Sequence, residues 1–341
     1  MVAAALTGLA TALPRRMDQQ GLWDGFFARH YADLPAAERI FAGAGVHTRQ
    51  AVVDPRVEDV SGWGTGQRMR RYAAEALPLG TAAASKALAD AGLAPDDLGL
   101  LAVASCTGYT SPGLDIMLAR DLGLPADVQR LVIGHMGCYA AIPGLGAVAD
   151  YVRSRGRPAL LLCLELTSLH LQPPPAQLDQ VVAHALFADA AAAVVVQPGA
   201  GRGYAVRDVV ARTDPDTAEY MTWDVTDLGF RMGLSPRVPA VLARHVREVV
   251  TGLLDRHRLA LADVDGWAVH PGGPRILDVV QGRLGLPPGA LDDSRAVLRG
   301  HGNCSSPTVL LVLDRIRRRQ ARNVVLLAFG PGLTLYAALL G

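Results

Sequence analysis

The residue best suited to nucleophilic chemistry is Cys138, in the glycine-containing segment 134–141. The apolar run at 131–133 predicts the end of a buried strand, and the alanine-rich run at 140–152 predicts a buried helix. Cys138 would then occupy a strand-to-helix turn, where free backbone N–H groups and the helix dipole favour a thiolate and can donate to an oxyanion. This placement predicts a cysteine that forms a thioester with its substrate.

Two further polar side chains stand at turns in the second half of the chain. His270 ends a short apolar strand, 267–269, and precedes a glycine-rich turn. Asn303 lies just before a helix that Pro307 helps to start. A histidine and a side-chain amide beside a cysteine can hold the thiolate and bind a carbonyl oxygen, which predicts acyl transfer.

Bulk composition narrows the classes of protein. Half of the 341 residues are hydrophobic, 19% are charged, and the formal net charge is +1. No apolar run reaches the roughly 18 residues of a membrane span, and the basic segment 315–322 is interrupted, so we expect neither a membrane nor a nucleic acid as partner. The widely spaced cysteines and the absence of a signal peptide pattern predict a cytoplasmic location.

Strand and helix patterns alternate along the chain, which indicates an α/β fold. Near-continuous apolar runs predict buried strands at 100–106, 159–164, 191–197, 324–329 and 334–340. Because the pattern restarts at residue 204, we predict two similar halves, residues 1–203 carrying Cys138 and residues 204–341 carrying His270 and Asn303.

Together these segments resemble the type III polyketide synthases, the chalcone synthase-like branch of the thiolase superfamily. The motifs that carry the resemblance are Gly137-Cys138, the segment 185–192, Gly229-Phe230, His-Pro-Gly-Gly-Pro at 270–274, Gly302-Asn303 with Ser305-Ser306, and Phe-Gly-Pro-Gly at 329–332. The resemblance implies a thiolase-like αβαβα layered fold, a homodimer, no cofactor or metal ion, and decarboxylative Claisen condensation of CoA thioesters.

The resemblance also implies a role for each reactive residue. Cys138 would take the acyl group of an acyl-CoA starter, with His270 keeping it ionised as an imidazolium–thiolate pair. His270 and Asn303 would bind the carbonyl oxygen of malonyl-CoA and stabilise the enolate formed as CO2 leaves. Decarboxylation supplies the carbanion, so the site needs no metal ion and no carboxylate base. The expected product is a pyrone or a resorcinol-type ring.

Further residues are expected to bind substrate. Phe187 and Phe230 correspond to two phenylalanines that separate the CoA tunnel from the growing-chain cavity in the family. The other residues implied by the motifs are Thr167, His170, Met221, Ser305, Gly272, Gly273 and Pro331. His170 and Met221 are larger than the residues usual there, so we expect a short product or a narrow choice of starter. His170 could instead be a polar group that steers cyclisation.

Arg49 and Arg275 are the expected ligands of the CoA phosphates. Arg49 lies in a Gly-Val-x-Thr-Arg segment like the family's basic entrance segment, and Arg275 follows the 270–274 turn. Lys86 is the only lysine, so guanidinium groups, histidines or backbone N–H groups have to build any phosphate site.

Other functions fit part of the pattern. A ketoacyl synthase III-like enzyme would use the same three residues for one condensation, with CoA or a carrier protein delivering the substrate. A Cys-His-Asn hydrolase would cleave thioesters without extending them, and a silent relative would not acylate Cys138. A zinc site at His135 and Cys138 lacks further ligands at suitable spacing.

Overall fold

The computed structural model describes residues 2–173, 178–199 and 202–341. The strands are β1 (Ala4–Ala12), β2 (Arg15–Asp18), β3 (Thr48–Ala51), β4 (Leu100–Ser105), β5 (Gln129–Gly134), β6 (Ala159–Glu165), β7 (Ala190–Pro198), β8 (Tyr204–Thr213), β9 (Met221–Thr226), β10 (Gly229–Leu234), β11 (Gly266–Val269), β12 (Val324–Gly330) and β13 (Thr334–Leu340). The α-helices are α1 (Gln19–Leu22), α2 (Ala28–His30), α3 (Ala36–Gly43), α4 (Thr65–Ala91), α5 (Leu114–Leu122), α6 (Ala141–Arg155), α7 (Leu178–Leu186), α8 (Val238–Arg256), α9 (Pro274–Leu284), α10 (Asp292–His301) and α11 (Pro307–Arg317). In these described ranges, no helix is at once long enough and apolar enough to cross a membrane.

One large sheet runs through the molecule in the order β11-β12-β13-β8-β1-β7-β6-β4-β5. Outwards from the antiparallel β1–β8 contact, the series β1-β7-β6-β4 and β8-β13-β12-β11 repeat the same strand directions, two antiparallel pairs and then a parallel pair. The sheet therefore consists of two similarly wound parts joined edge to edge, a topological repeat that residue matching does not reveal. The boundary between residues 203 and 204 stays a prediction.

Helices cover both faces of each part of the sheet. Helices α6 and α11 form a central layer that packs against the inward faces of both parts, through residues such as Leu145 and Val309. Helix α4 covers the outer face of the first part, and α8 and α9 cover the outer face of the second. These five layers confirm the predicted αβαβα fold. They also explain the near-continuous apolar sequences of β6 and β12, which are buried on both faces.

Strand β5 departs from the prediction of a buried strand at 131–133. It is the outermost strand of the sheet and pairs on one side with β4. Leu131 and Val132 are 39% and 61% exposed. An apolar edge strand has the same sequence signature as an internal one, because periodicity does not tell what covers the edge. The prediction of burial at 131–133 is therefore wrong for the single chain.

The sequence patterns also do not predict the hairpin β9–β10. Its two strands pair antiparallel, with Met221 opposite Leu234 at one end and Thr226 opposite Gly229 at the other, and they form a separate small sheet. The hairpin packs on α7 and on the single 3₁₀ turn Thr167–His170 that follows β6. This contact places the hairpin beside the residues expected to bind substrate.

Candidate active site

Cys138 lies in the 3₁₀ turn Gly137–Tyr139, between β5 and α6. Gly137 has φ +69°, and a Cβ there would lie 2.9 Å from Pro331 Cδ, so both the backbone and the space require glycine. The cysteine turn therefore packs directly on the turn that follows β12. Cys138 is 6% exposed, and helix α6 begins at Ala141, so the positive end of its dipole is close to the thiol.

His270 follows β11 and is fully buried. Its backbone N–H donates to the Leu327 carbonyl at 2.8 Å, which fixes it to β12, and its ring meets the Phe329 ring edge-on at 5.9 Å. Neither ring nitrogen has a hydrogen-bond partner among the described residues. A buried polar group without a partner costs free energy, and a substrate atom bound to either nitrogen would remove that cost. Both nitrogens are therefore available to substrate.

The turn before α11 holds Asn303 firmly in place. Its backbone N–H donates to the Leu186 carbonyl at 2.8 Å, and its carbonyl accepts from the Ala188 N–H at 2.9 Å. Its side-chain Oδ1 accepts from the Ser305 N–H at 2.8 Å, which directs the amide NH2 away from Ser305. Gly302 has φ +70°, and a Cβ there would lie 2.8 Å from the Leu186 carbonyl oxygen, so glycine is required beside Asn303.

Burial favours the uncharged forms of Cys138 and His270. It raises the pKa of Cys138 to about 12, although hydrogen bonds from the Ser305 hydroxyl and the Asn303 amide lower that pKa. Burial also lowers the pKa of His270 to about 3. Burial by itself therefore favours a neutral thiol and a neutral imidazole, and the imidazolium–thiolate pair expected from the sequence stays a prediction.

Cys138, His270 and Asn303 line one open cavity of about 540 Å³, here called the main cavity. Its wall is largely apolar and includes Ile40, Val182, Leu186, Leu234, Val238 and Phe329. The volume is in the range of small-molecule binding sites. The three reactive residues come from turns after β5, after β11 and before α11, so the main cavity lies where the two parts of the fold meet.

Two smaller cavities lie alongside the main cavity. The small cavity, of about 20 Å³, shares Cys138 with the main cavity and is also lined by Cys106 and Thr107. The inner cavity, of about 70 Å³, is lined by side chains such as Leu22 and Phe27 and by none of the three reactive residues.

Comparison with known proteins identifies the family. Residues 3–201 match the family model of chalcone and stilbene synthases, N-terminal domain, and residues 205–341 match that of the C-terminal domain. The chain belongs to this family, the type III polyketide synthases. The synthase is accordingly an acyltransferase, and its family uses no cofactor beyond the CoA thioester substrates.

Three similar proteins illustrate the relationship. The synthase is 40% identical to a 1,3,6,8-tetrahydroxynaphthalene synthase of Streptomyces peucetius subsp. caesius over 314 residues, 88% of this chain and 82% of that protein. It is 31% identical to the alpha-pyrone synthesis polyketide synthase-like Pks18 of Mycobacterium tuberculosis, over 97% of this chain and 89% of that protein. The crystal structure of PKS-I from the brown alga Ectocarpus siliculosus matches with a TM-score of 0.94 and 31% identity, covering 100% of this chain and 98% of that one.

The nine predicted substrate-binding residues lie along all three cavities, and Phe187 lines each of them. The main cavity is also lined by Gly272, Gly273 and Met221, and the small cavity by Met221, Ser305, Pro331 and Thr167. The inner cavity is also lined by Thr167, and by His170 and Phe230, which line no other cavity. Phe187 and Phe230 therefore line the inner cavity together, and Phe230 does not line the main cavity that contains Cys138.

His170 does not offer a polar group to a substrate. Its Nδ1 accepts from the Phe230 N–H at 2.9 Å, and its Nε2 donates to the Thr107 carbonyl at 2.7 Å. Its ring stacks on the Phe230 ring with centroids 4.6 Å apart. Because the backbone occupies both nitrogens, His170 fills space in the inner cavity, and the interpretation as a group that steers cyclisation is not supported.

Arg49 is an internal structural residue and not a ligand of CoA. It is 5% exposed, and all five of its N–H groups have acceptors. Nε and Nη2 both donate to Gln19 Oε1. Nη1 donates to the His184 and Phe187 carbonyls at 2.7 Å, and the second N–H of Nη2 donates to the Ala185 carbonyl at 2.5 Å. The guanidinium therefore anchors the segment from α7 to Phe187, which corrects its assignment to the CoA phosphates.

Arg275 has the location expected of a phosphate ligand. It is exposed at the start of α9, lines the main cavity, and forms no salt bridge within the described part of the chain. Arg39, on α3, is exposed and precedes the cavity-lining Ile40 in the sequence, but it does not itself line the main cavity.

Sequence reasoning missed Trp223 and Met232 of the β9–β10 hairpin, whereas it leaves Glu165 open as either a hydrogen-bonded carboxylate near the cleft or a structural one. Trp223 lines the small and inner cavities, and its Nε1 donates to the Cys106 carbonyl at 2.7 Å. Glu165 is fully buried and accepts from the Thr107 and Ser306 hydroxyls at 2.8 and 2.9 Å. Glu165 thus connects the segment after β4 to the Asn303 turn. The sequence indicates it only as a carboxylate at the end of an apolar strand.

Proposed function

We propose that this synthase loads an acyl group from a CoA starter on Cys138 and extends it with malonyl-CoA by decarboxylative Claisen condensation. The observation that carries the proposal is the convergence of Cys138, His270 and Asn303 on one cavity, with both His270 ring nitrogens unpartnered among the described residues. A thiol, a base and an amide donor at one wall are the groups that both half-reactions require.

In the loading step, the Cys138 sulfur attacks the thioester carbonyl of the starter. Neutral His270 accepts the thiol proton as the new C–S bond forms, and this proton then goes to the CoA sulfur as its bond to the acyl carbon breaks. The products are acyl-Cys138 and free CoA. Because burial opposes a resting ion pair, His270 acts here as a general base during attack.

In the extension step, malonyl-CoA loses CO2, and the electron pair of the broken C–C bond forms an enolate. An N–H of His270 and the Asn303 amide donate to the enolate oxygen, where negative charge develops. The enolate carbon attacks the acyl-Cys138 carbonyl, the Cys138 thiolate leaves, and a proton from water restores the thiol. The products are a β-ketoacyl-CoA longer by one malonyl-derived unit, CO2 and regenerated Cys138.

Repeated extension would end in cyclisation to a pyrone or a resorcinol-type ring. The second candidate is a single condensation, as in ketoacyl synthase III-like enzymes. The small cavity beyond Cys138 measures only about 20 Å³ and the inner cavity about 70 Å³, which favours few extensions.

We assign Arg275 to the CoA phosphates, since it is exposed, lines the main cavity and carries a guanidinium, which suits phosphate. Within the described residues, no group of three or more His, Cys, Asp or Glu side chains could hold a metal ion, so the zinc hypothesis for His135 and Cys138 gains no further ligand. The cytoplasmic location stays a prediction.

We further propose that two chains form a homodimer through the outer edge of β5. The edge presents unpaired backbone groups together with the exposed Val132, and the preceding segments add the exposed Tyr109 and Ile116. An apolar edge strand is a template for pairing with another strand, and a second β5 offers the same surface. Sedimentation equilibrium should give twice the chain mass, and Val132→Glu should give the mass of one chain; a monomeric wild type would contradict this proposal.

Product analysis tests the proposed activity. The purified synthase is incubated with malonyl-CoA and a panel of acyl-CoA starters, and products and intact protein are measured by mass spectrometry. We expect malonyl-dependent products from the wild type and from Cys163→Ala, which removes a buried thiol outside the cavities, but none from Cys138→Ala. Acylation of Cys138 without any extension would overturn the malonyl step, and products from Cys138→Ala would overturn the role of the thiol.

A further inference from the structure

One face of strand β10 extends across the cavities of the site. Alternate residues of a strand point to the same side and are about 6.5 Å apart, so Phe230, Met232 and Leu234 form a row. Phe230 lines the inner cavity alone, and Leu234 lines the main cavity alone. Met232, in the middle of the row, lines the main, small and inner cavities. Met232 therefore stands at the partition between them.

Phe187 is the other side chain that lines all three cavities, and its backbone is firmly held. Its N–H donates to the Ala183 carbonyl at 2.9 Å, its carbonyl accepts from Arg49 at 2.7 Å, and it bridges to Asn303. Met232, in contrast, is unbranched, with rotatable bonds that let its thioether adapt to a changed neighbour. Of the two partition residues, Met232 is the one whose side chain can move aside.

The inner cavity suits a hydrocarbon group. Among the described residues, Arg49 is the only side chain with a formal charge along its wall, and all its N–H groups already have acceptors. His170 and His184 also line it, and burial lowers their pKa values to about 4 and about 3, so both are neutral. No free cation on the described part of this wall could receive a carboxylate, which disfavours a malonyl group as the occupant.

We propose that Met232 is a specificity-determining gate, which admits the hydrocarbon end of the starter acyl chain from the main cavity into the inner cavity. This inference rests on the proposed function, and it names the starter class as an acyl group with an aliphatic or aromatic end. With Met232 in place, the chain on Cys138 has only the small cavity of about 20 Å³ besides the main cavity, which it must share with the extender CoA thioester, and extension stops early. When the side chain moves or is shortened, the starter end enters the inner cavity and the reacting end stays at Cys138 for further extension.

Three variants separate the gate from general damage to the site. Met232→Ala opens the partition, and Met232→Leu keeps a side chain of similar volume there. Leu234→Ala removes the next side chain of the same row, which lines the main cavity only. Each full-length protein is first checked for an unchanged far-UV circular dichroism spectrum and is then assayed with malonyl-CoA plus butanoyl-CoA or octanoyl-CoA.

Two readouts follow. The first is the ratio of longer to shorter products, and the second is the rate of Cys138 acylation by each starter, followed by intact-protein mass without malonyl-CoA. For Met232→Ala we expect the octanoyl-to-butanoyl ratio of each readout to rise about tenfold over the wild type. A rise of this size corresponds to the burial of about two additional methylenes of the longer starter. Met232→Leu and Leu234→Ala should keep the wild-type ratios within about twofold.

The outcomes distinguish this proposal from the proposed function. If the wild type acylates Cys138 but makes no malonyl-dependent product, the proposed function fails, and the acylation ratio still decides the gate. If Met232→Ala is folded and both ratios match the wild type, the gate is refuted. If Leu234→Ala changes the ratios as much as Met232→Ala, the effect comes from the main cavity and the gate is likewise refuted.

Discussion

A pH-dependent stability measurement tests the assignment of His170 as a neutral, space-filling residue. Nδ1 of the ring accepts from the Phe230 N–H, and Nε2 donates to the Thr107 carbonyl. Protonation of Nδ1 would therefore place a new N–H directly against the Phe230 N–H. Burial, opposed by the bond to Thr107 and reinforced by the charge of Arg68, lowers the pKa of His170 from 6.5 to about 4. Replacement by glutamine, His170→Gln, removes this titration while keeping a donor and an acceptor.

The size of the effect follows from linkage between protonation and folding. Below pH 6.5 the unfolded chain binds a proton at His170 that the folded chain does not, so the free energy of unfolding falls as the pH falls, until about pH 4. The full difference between 6.5 and about 4 corresponds to about 3 kcal/mol. Between pH 7 and pH 5 the loss due to His170 alone is about 2 kcal/mol.

Urea unfolding at pH 7 and pH 5 measures this loss, at one protein concentration and one ionic strength. Other buried groups titrate in both proteins and cancel in the comparison, so we expect the wild type to lose about 2 kcal/mol more than His170→Gln. The exposed His47, which lies away from the β5 edge, supplies a control, since His47→Gln should leave the loss at the wild-type value. Equal losses in the wild type and His170→Gln would refute the neutral assignment and restore His170 as a group that can donate a proton.

The two arginines assigned from the sequence to CoA phosphates should respond in opposite ways to substitution. Arg275→Gln should keep the melting temperature and raise the KM for acyl-CoA by about tenfold, with no change for an acyl-pantetheine thioester that lacks the nucleotide phosphates; an equal rise with both substrates would contradict phosphate binding. Arg49→Gln should lower the free energy of unfolding by more than about 3 kcal/mol, because several buried carbonyls lose their donor. An unchanged unfolding midpoint for Arg49→Gln would contradict its structural role.

The turns that hold Cys138 and Asn303, whose chemical roles stay predictions, could be placed from the sequence because each depends on local backbone geometry. Gly137 and Gly302 have positive φ values and face tight contacts, so glycine marks the positions beside Cys138 and Asn303 whatever the distant packing. The layered fold was predictable for a similar reason, since strands covered on both faces, such as β6, leave a continuous apolar run. Local sequence carries these features.

The failures concern what lies next to a residue in space. Arg49 has the sequence context of an entrance residue, but the fold surrounds it with acceptors from Gln19 and from α7, which follows it by more than a hundred residues. Strand β5 has the composition of an internal strand, and only the sheet order makes it an edge. A motif specifies the residue and its backbone, and long-range contacts decide whether its side chain meets water, substrate or the protein interior.

The same distinction explains why the product could not be predicted. The partition between the main and inner cavities depends on Phe187 after α7 and on Met232, which pairs with Trp223 across the β9–β10 hairpin. No turn glycine or proline marks Met232, and a leucine there would give the same strand pattern. A methionine in the middle of this row nevertheless decides whether the 70 Å³ beyond it is available to a growing chain. Substitutions in the hairpin can therefore change the product while the turns that hold Cys138, His270 and Asn303 stay as they are.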